Sequence, residues 1–381
     1  MVNPTGHRPA RITLLQLGVG TVGGEVLRQV RAHHGRWSER LGFDVVFGGV
    51  AGRAGALIAA GDRGLDDRQL ARIVEARRAT GTFQSSATES GGLVTVAEAV
   101  DTLASRGPLV VIDAAAGERT AELDARALER GAGVVLSNKA PLALPSNDPR
   151  SVVLWAETGP GGRLRYEATC GAGLPVISTL RALLDTGDEP IAITGALSGT
   201  MGAIFSDVAG GMPFSAAVRA AKERGYTEPD PRDDLSGLDV ARKALILART
   251  MGRPVDLSDI AVESLVPPDL VEVSVAEFLD RVSVGDDEIA TMGREAMEAG
   301  AALKYVATVP AEGAISVGLR QVPKVTVLGA LQGPENIVSI CTRRYDDYPC
   351  VVSGPGAGAE VTAAGILADV LALCPALRAD A

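Results

Sequence analysis

Arg11-Ile12-Thr13-Leu14-Leu15-Gln16-Leu17 runs straight into Gly18-Val19-Gly20-Thr21-Val22-Gly23, and Glu25-Val26-Leu27 follows. The first seven residues are mostly apolar, as a strand covered on both faces requires, and beyond the glycines apolar residues recur at helical spacing as far as Val30. Gly-x-Gly-x-x-Gly between a strand and a helix is the arrangement of a dinucleotide-binding turn. The first glycine permits the tight turn, the second lets backbone approach a pyrophosphate, and the third lets helix and strand pack closely. Free N–H groups at the helix start then meet the anion. A glycine-rich turn without a ligand is the plain alternative, and the correctly placed strand and helix weigh against it.

Further strands are expected at 44–50, 109–113 and 133–136, the last running into Ser137-Asn138-Lys139, with a helix at 118–129 that Gly131 stops. Such alternation implies an α/β fold, a Rossmann-type doubly wound parallel sheet with ligands at the carboxyl ends of its strands. Residues 66–78 read as a helix and 80–92 as surface loop. After the second strand stands Ala51-Gly52-Arg53, where a guanidinium suits a 2′-phosphate and favours NADP over NAD. From about 151 the pattern changes to strands with amphipathic helices, at 164–169, 191–197, 302–309 and 314–322. The expected division is therefore a dinucleotide-binding domain at 1–150, an α+β substrate and dimerisation domain at 151–335, and a segment at 336–381 returning to the first. In that last segment Gly354-Pro355-Gly356-Ala357-Gly358 precedes a helix reaching about Leu373.

The chain has 381 residues, with 37 lysines and arginines against 47 acidic residues, and a net charge of −10 speaks against nucleic acid as a partner. No long uncharged apolar run and no apolar core near Met1 is evident, so neither a membrane span nor a signal peptide is expected, and the cytoplasm is the expected location. Cys170, Cys341, Cys350 and Cys374 lack metal-ligand spacing and read as reduced thiols.

Residues 225–243 carry most of the chemistry: Gly225-Tyr226-Thr227-Glu228-Pro229-Asp230-Pro231-Arg232-Asp233-Asp234-Leu235-Ser236-Gly237-Leu238-Asp239-Val240-Ala241-Arg242-Lys243. The two prolines force Glu228 and Asp230 into extended backbone, which reads as a shaped loop before a helix. Crowded carboxylates repel one another unless an arginine, a cation or a ligand ammonium is present. A solvated acidic loop is the ordinary alternative. Asp239 and Lys243, four apart, share one helix face. They can be a surface ion pair, and Ser236-x-x-Asp239 can equally be a capping box. Residues 166–175 end a strand in a glycine turn and open a helix, so carbonyls could hold a cation and N–H groups an anion there. Ser198-Gly199-Thr200 likewise ends a strand, with hydroxyls able to cap the next helix or touch a ligand.

Together these segments resemble the homoserine dehydrogenases. The resemblance rests on the 225–243 run, the glycines at 18–23, Asn138-Lys139, residues 167–175, Ser198-Gly199-Thr200 and the tail from Gly354 to Ala368, and it is close to the dehydrogenase half of bifunctional aspartokinase–homoserine dehydrogenases. It implies NAD(P)H-dependent reduction of L-aspartate 4-semialdehyde to L-homoserine, on the branch towards threonine and methionine, in a homodimer. By position it makes Lys243 the proton donor and Lys139 a second lysine at nicotinamide and substrate. Glu228, Asp239, Asp234 and Thr200 become substrate-binding residues. Gly18, Gly20, Thr21, Val22, Gly23, Arg53, Ala115, Ser137, Lys139, Gly225, Gly356 and Gly358 become cofactor contacts, and the carbonyls of Glu167, Cys170, Ala172 and Leu174 a sodium site. The residue types suit the task, because reducing an aldehyde leaves an alkoxide that a lysine can stabilise and protonate, while carboxylates hold the substrate's α-ammonium. The chain departs from the family at Ala114-Ala115-Ala116 and Met201-Gly202-Ala203. With no kinase module before the glycines and no regulatory domain after the last helix, a monofunctional enzyme without the usual platform for threonine feedback is expected. Two rivals remain open. One is another semialdehyde reductase using Cys170 as nucleophile, which the absence of a histidine near it disfavours. The other is a catalytically silent NADP-binding sensor, which the joint presence of both lysines and both carboxylates disfavours.

Overall fold

The computed structural model describes residues 9–83 and 93–379, which form two units, 1–173 with 358–381 and 174–357. In the first, β1 (Ala10–Leu17) leads through α1 (Thr21–Leu41) to β2 (Phe43–Gly52), and β3 (Gly55–Ile58) folds back on it antiparallel. There follow α2 (Asp67–Thr80), α3 (Val96–Ala104), β4 (Leu109–Asp113), α4 (Ala121–Glu129), β5 (Gly133–Leu136), α5 (Pro149–Ala156) and β6 (Leu164–Arg165). The strand order is β3-β2-β1-β4-β5-β6, parallel from β2 to β6. The chain builds outward from β1 first on one side and then on the other, so the switch point lies between β1 and β4. Register places Leu17 against both Ala51 and Asp113, and Asp113 against Leu136, so these four strand ends share one edge.

The second unit begins with α6 (Val176–Asp185), β7 (Pro190–Ala196), α7 (Gly199–Ala209), α8 (Phe214–Glu223), α9 (Pro231–Leu235) and α10 (Leu238–Thr250). It continues with β8 (Ile260–Val262), α11 (Val275–Arg281), α12 (Asp286–Glu298), β9 (Ala301–Pro310), β10 (Ile315–Pro323), α13 (Val327–Ala330), β11 (Glu335–Thr342) and β12 (Cys350–Pro355). Its sheet runs β12-β11-β7-β9-β10-β8, antiparallel except for the β8–β10 pair. α10 packs on β9 and β10, and Val240, Ala241, Ala244, Leu245, Ile246, Leu247 and Ala248 are all buried. The chain then returns to the first unit as α14 (Ala359–Ala379). By length and composition alone α14 could cross a membrane. Its Ala363, Ile366, Val370, Leu373 and Leu377 instead complete the apolar core formed by Ile12, Leu14, Val110, Ile112 and Val135.

The α/β architecture matches the expectation, but the boundaries fall elsewhere. The strand expected over 164–169 is only two residues long and pairs with β5, so it belongs to the first sheet and carries that unit to Gly173 rather than to 150. β11 and β12 pair within the second sheet, so the return begins at Gly358 rather than at 336. Apolar alternation specifies a strand, whereas its sheet is decided by backbone partners far away in sequence. The loop expected ahead of the helix that carries Asp239 and Lys243 contains α9, with Pro231 in its first turn and the Asp230 carboxylate accepting from Arg232 N–H at 3.0 Å. Most of the loop expected at 80–92, and residues 1–8, which bear on a signal peptide, lie outside the described residues.

Candidate active site

The carboxyl edge of the first sheet assembles the nucleotide-side residues. Gly18 follows β1 with φ +89°, and a Cβ there would meet the Ala114 carbonyl at 2.7 Å. A Cβ on Gly23 would lie 2.2 Å from the Gly18 carbonyl, so helix and strand are closer than any side chain permits. Gly20 faces open space instead, is exposed, and ends at the start of α1, leaving room for a phosphate at the helix N-terminus. Thr21 is exposed and Val22 half-buried in the same first turn. The Gly18 N–H donates to the Ala51 carbonyl at 2.9 Å, which fixes the end of β2 beside the loop, and Arg53 stands exposed one residue beyond that strand. This cradle fits a dinucleotide: backbone donors lie at a helix start, the middle glycine leaves space, and a cation stands where the adenosine ribose ends.

Behind this edge lies a buried polar anchor. Asp113, fully buried at the end of β4, accepts from Ala115 N–H at 2.9 Å, Thr120 Oγ1 at 2.6 Å and Asn138 Nδ2 at 3.0 Å. Ser137 N–H donates to the Asp113 carbonyl, and Asn138 Oδ1 accepts from Ala140 N–H at 3.1 Å. Through its carboxylate and its main-chain carbonyl, Asp113 thus ties together Ala115, Ser137 and the turn carrying half-buried Lys139. Asp124 of α4, also fully buried, has no hydrogen-bond partner for either side-chain oxygen among the described residues. Burial, then the charge of Asp113, pushes its carboxyl well above the ordinary range, and burial raises Asp113 as well. Burial therefore favours the uncharged form of Asp124 more strongly than that of Asp113.

The turn expected to hold a cation sits on α14. Glu167 N–H donates to Asp369 Oδ2 at 2.7 Å, and burial pushes the Asp369 carboxyl up to about 7. Among the described residues Ala172 alone has positive φ without being glycine, at 55°, and its carbonyl reaches Gly365 of α14. The Glu167 carbonyl accepts from Cys170 N–H and the Leu174 carbonyl from Val176 N–H. A run of carbonyl oxygens in a bent turn is a donor set that suits a hard cation, and no cluster of three or more acidic, histidine or cysteine ligands occurs among the described residues. The Cys170 thiol is fully buried, with Thr169 Oγ1 3.6 Å from its sulfur, which removes it as an accessible nucleophile.

In the second unit the spacing of Asp239 and Lys243 becomes contact. Lys243 is 8% exposed on the largely apolar buried face of α10, and its Nζ donates to the Leu197 carbonyl at 2.6 Å and to Asp239 Oδ2 at 2.8 Å. The capping box at Ser236 is absent, because Gly237, in a left-handed conformation, occupies the cap position of α10. Asp239 is thereby committed to the lysine. Thr200 Oγ1, at the start of α7, lies 2.7 Å from the Tyr226 carbonyl and 2.9 Å from Asp234 Oδ1, and Asp234 Oδ2 accepts from Glu228 N–H at 2.8 Å. Asp234 was expected to bind substrate. Both its oxygens are engaged by protein, so it fixes the backbone of Glu228, and burial raises its carboxyl. Glu228 itself is exposed. Ser198 Oγ caps α7, accepting from Met201 N–H at 3.2 Å. Arg232 neutralises Asp230 and donates to the carbonyls of Leu270, Val271 and Val273.

Expected residues therefore fall into two sets. Gly18, Gly20, Thr21, Val22, Gly23, Arg53, Ala115 and Ser137 with Lys139 gather along one sheet edge, while Thr200, Glu228, Asp234, Asp239 and Lys243 gather around the starts of α7 and α10. Gly225 and Gly356 lie in the second unit, outside the fingerprint's own. Gly225 is an exposed left-handed residue after α8, and Gly356 abuts the buried side chain of Asn336. Gly358 opens α14 in the first unit. Gln16, Asp113 and Asp124 were not expected. The one signal available for Gln16 was an amide inside an apolar strand.

Comparison with known proteins gives this arrangement a family. Residues 18–166 match the model described as homoserine dehydrogenase, NAD binding domain, and residues 175–371 match the homoserine dehydrogenase model. The chain is 36% identical to a homoserine dehydrogenase of Schizosaccharomyces pombe, covering 96% of each chain. It is also 36% identical, over 95% of its length, to a chloroplastic bifunctional aspartokinase/homoserine dehydrogenase of Zea mays, of which it spans 38%. Its fold resembles that of a hyperthermophilic archaeal homoserine dehydrogenase solved with NADPH, at a TM-score of 0.70 and 22% identity over 96% of this chain and 98% of that one. A dinucleotide cradle on one unit, a buried lysine held by an aspartate on the other, and two adjoining family models identify the chain as a member of the homoserine dehydrogenase family.

Proposed function

We propose that this protein reduces L-aspartate 4-semialdehyde to L-homoserine, with NADPH preferred over NADH, and that the buried ammonium of Lys243 is the observation that carries the reading. A bound reduced nicotinamide supplies the hydride. The remaining chemistry belongs to the chain. Lys243, gripped by the Leu197 carbonyl and the Asp239 carboxylate, is aimed rather than free to rotate, and it stabilises and protonates the oxygen that gains electrons. Asp239 has a side chain 47% exposed, so it can pass a proton from solvent back to the lysine. Glu228, its backbone fixed through Asp234 and Thr200, offers a carboxylate to the substrate's α-ammonium. Lys139, in the turn anchored by Asp113 and Asn138, adds a second positive charge on the nucleotide side.

The test is NADPH oxidation with aspartate semialdehyde. Lys243→Ala is expected to lower kcat by about 10²–10⁴-fold while NADPH still binds. A variant with near-parental turnover removes the lysine from this role. Arg53→Glu should erode or reverse the preference for NADPH over NADH, and an unchanged ratio would discard Arg53 as the 2′-phosphate partner.

A sodium ion on the carbonyls of Glu167, Cys170, Ala172 and Leu174, a homodimer and a cytoplasmic location complete the proposal. The carbonyl-rich turn supports the first, and activity that does not change when tetramethylammonium replaces sodium would count against it. The family relationship supports the dimer, which sedimentation equilibrium tests. The net charge of −10 and the burial of α14 support a water-dissolved protein that binds neither membrane nor nucleic acid.

A further inference from the structure

Gln16 is the one polar side chain of β1 that is completely buried, at the layer where the strand passes into the glycine turn. Leu14 and Ile12, two and four residues earlier on the same strand face, are core residues. An amide in that series is unusual unless its donors are used, and both are. Nε2 donates to the Gly18 carbonyl at 2.9 Å and to the Gly23 carbonyl at 2.8 Å. Oε1 is equally buried and meets no donor, so turning the amide over would set that oxygen against two carbonyls. The first and third glycines are thus held by a single side chain outside the motif.

We propose that Gln16 is a positioning residue of the nucleotide site, its amide drawing the Gly18 and Gly23 carbonyls inward so that the turn keeps its N–H groups facing the pyrophosphate. The reason is peptide geometry. The Gly18 carbonyl and the Val19 N–H belong to one trans peptide and point in opposite directions, so pinning the first beneath the loop turns the second outward. The Gly23 bond holds the first turn of α1 against the end of β1, the turn whose unpaired N–H groups meet the anion. Glycines cannot hold this shape alone, because they have the widest choice of backbone conformations.

This inference rests on the dinucleotide reading of the first unit, and binding measurements separate the two. NADPH fluorescence titration of the parent chain, Gln16→Met and Gln16→Glu is the experiment. Methionine keeps the volume without donors, and glutamate faces the two carbonyls with oxygen. Loss of two hydrogen bonds to the loop should weaken NADPH binding roughly tenfold in Gln16→Met, and at least as much in Gln16→Glu. Turnover at saturating NADPH and the KM for the aldehyde should stay at parental values. Adenosine 2′-monophosphate, which carries the 2′-phosphate but no pyrophosphate, should bind parent and variants alike. Parental NADPH affinity in Gln16→Met would overturn the proposal, and so would equal weakening for both ligands, since that marks a general loss of structure. If Gln16→Met does not fold, Gln16→Asn, too short to reach either carbonyl, runs the same comparison. A parent chain that binds no NADPH would instead defeat the dinucleotide reading itself.

Discussion

Three buried polar residues explain how an apolar sheet presents a polar edge. Gln16, Asp113 and Asp124 are each fully buried, and each lies within one layer of the strand ends that form the nucleotide cradle. Asp113 and Asp124 have a consequence for stability. Burial holds the Asp124 carboxyl well above the ordinary carboxylate range in the folded chain, so its stabilising contribution is complete below that range and is lost as pH rises through the raised value. The parent should therefore lose thermal stability as pH rises above the ordinary carboxylate range. Asp124→Asn, whose amide stays neutral at every pH, should show a flatter profile of melting temperature against pH. Equal slopes would mean that Asp124 does not contribute to the pH dependence. Gly23→Ala belongs to the same scale: a methyl 2.2 Å from the Gly18 carbonyl must push α1 from β1, and NADPH titration should show binding lost or severely weakened.

At the scale of elements, the helices differ in what maintains them. α10 has helical spacing and a broad apolar face, so its existence is local and its burial is mainly hydrophobic. α9 is five residues long, too short to persist alone. It depends on the Asp230 cap and on Arg232, which bonds three carbonyls of the 270–273 segment, and this is why the part of 225–243 before α10 reads from sequence as loop. α14 is decided by packing. Ile366 is completely buried in the first unit's core, and Ile366→Ala should cost about 2–5 kcal/mol, read from the urea midpoint. A cost near zero would show that α14 does not complete that core.

For the whole molecule, the first unit is discontinuous in the chain, the 184 residues of the second unit separating Gly173 from the segment that carries its last helix. Ending the chain at Ala357 should therefore uncover Ile12, Leu14, Val110 and Val135, producing protease sensitivity in residues 9–173 and loss of NADPH binding. A stable, NADPH-binding truncation would contradict that account. Strand, glycine turn and helix at 11–30 were legible because period and backbone freedom are local properties, readable from neighbours a few residues apart. The Asp239–Lys243 contact was legible as a spacing for the same reason. Its alternative as a capping box was not excluded until Gly237 took the cap position. The assignment of β6, β11 and β12 to their sheets, the grip of the Leu197 carbonyl on Lys243 and the conversion of Asp234 into a support for Glu228 depend on partners 34 to 46 residues apart or more for the side-chain contacts. Local pattern set the kinds of element and the types of reactive group. Long-range closure chose which groups meet, because a buried donor or acceptor must find its partner wherever the fold brings one.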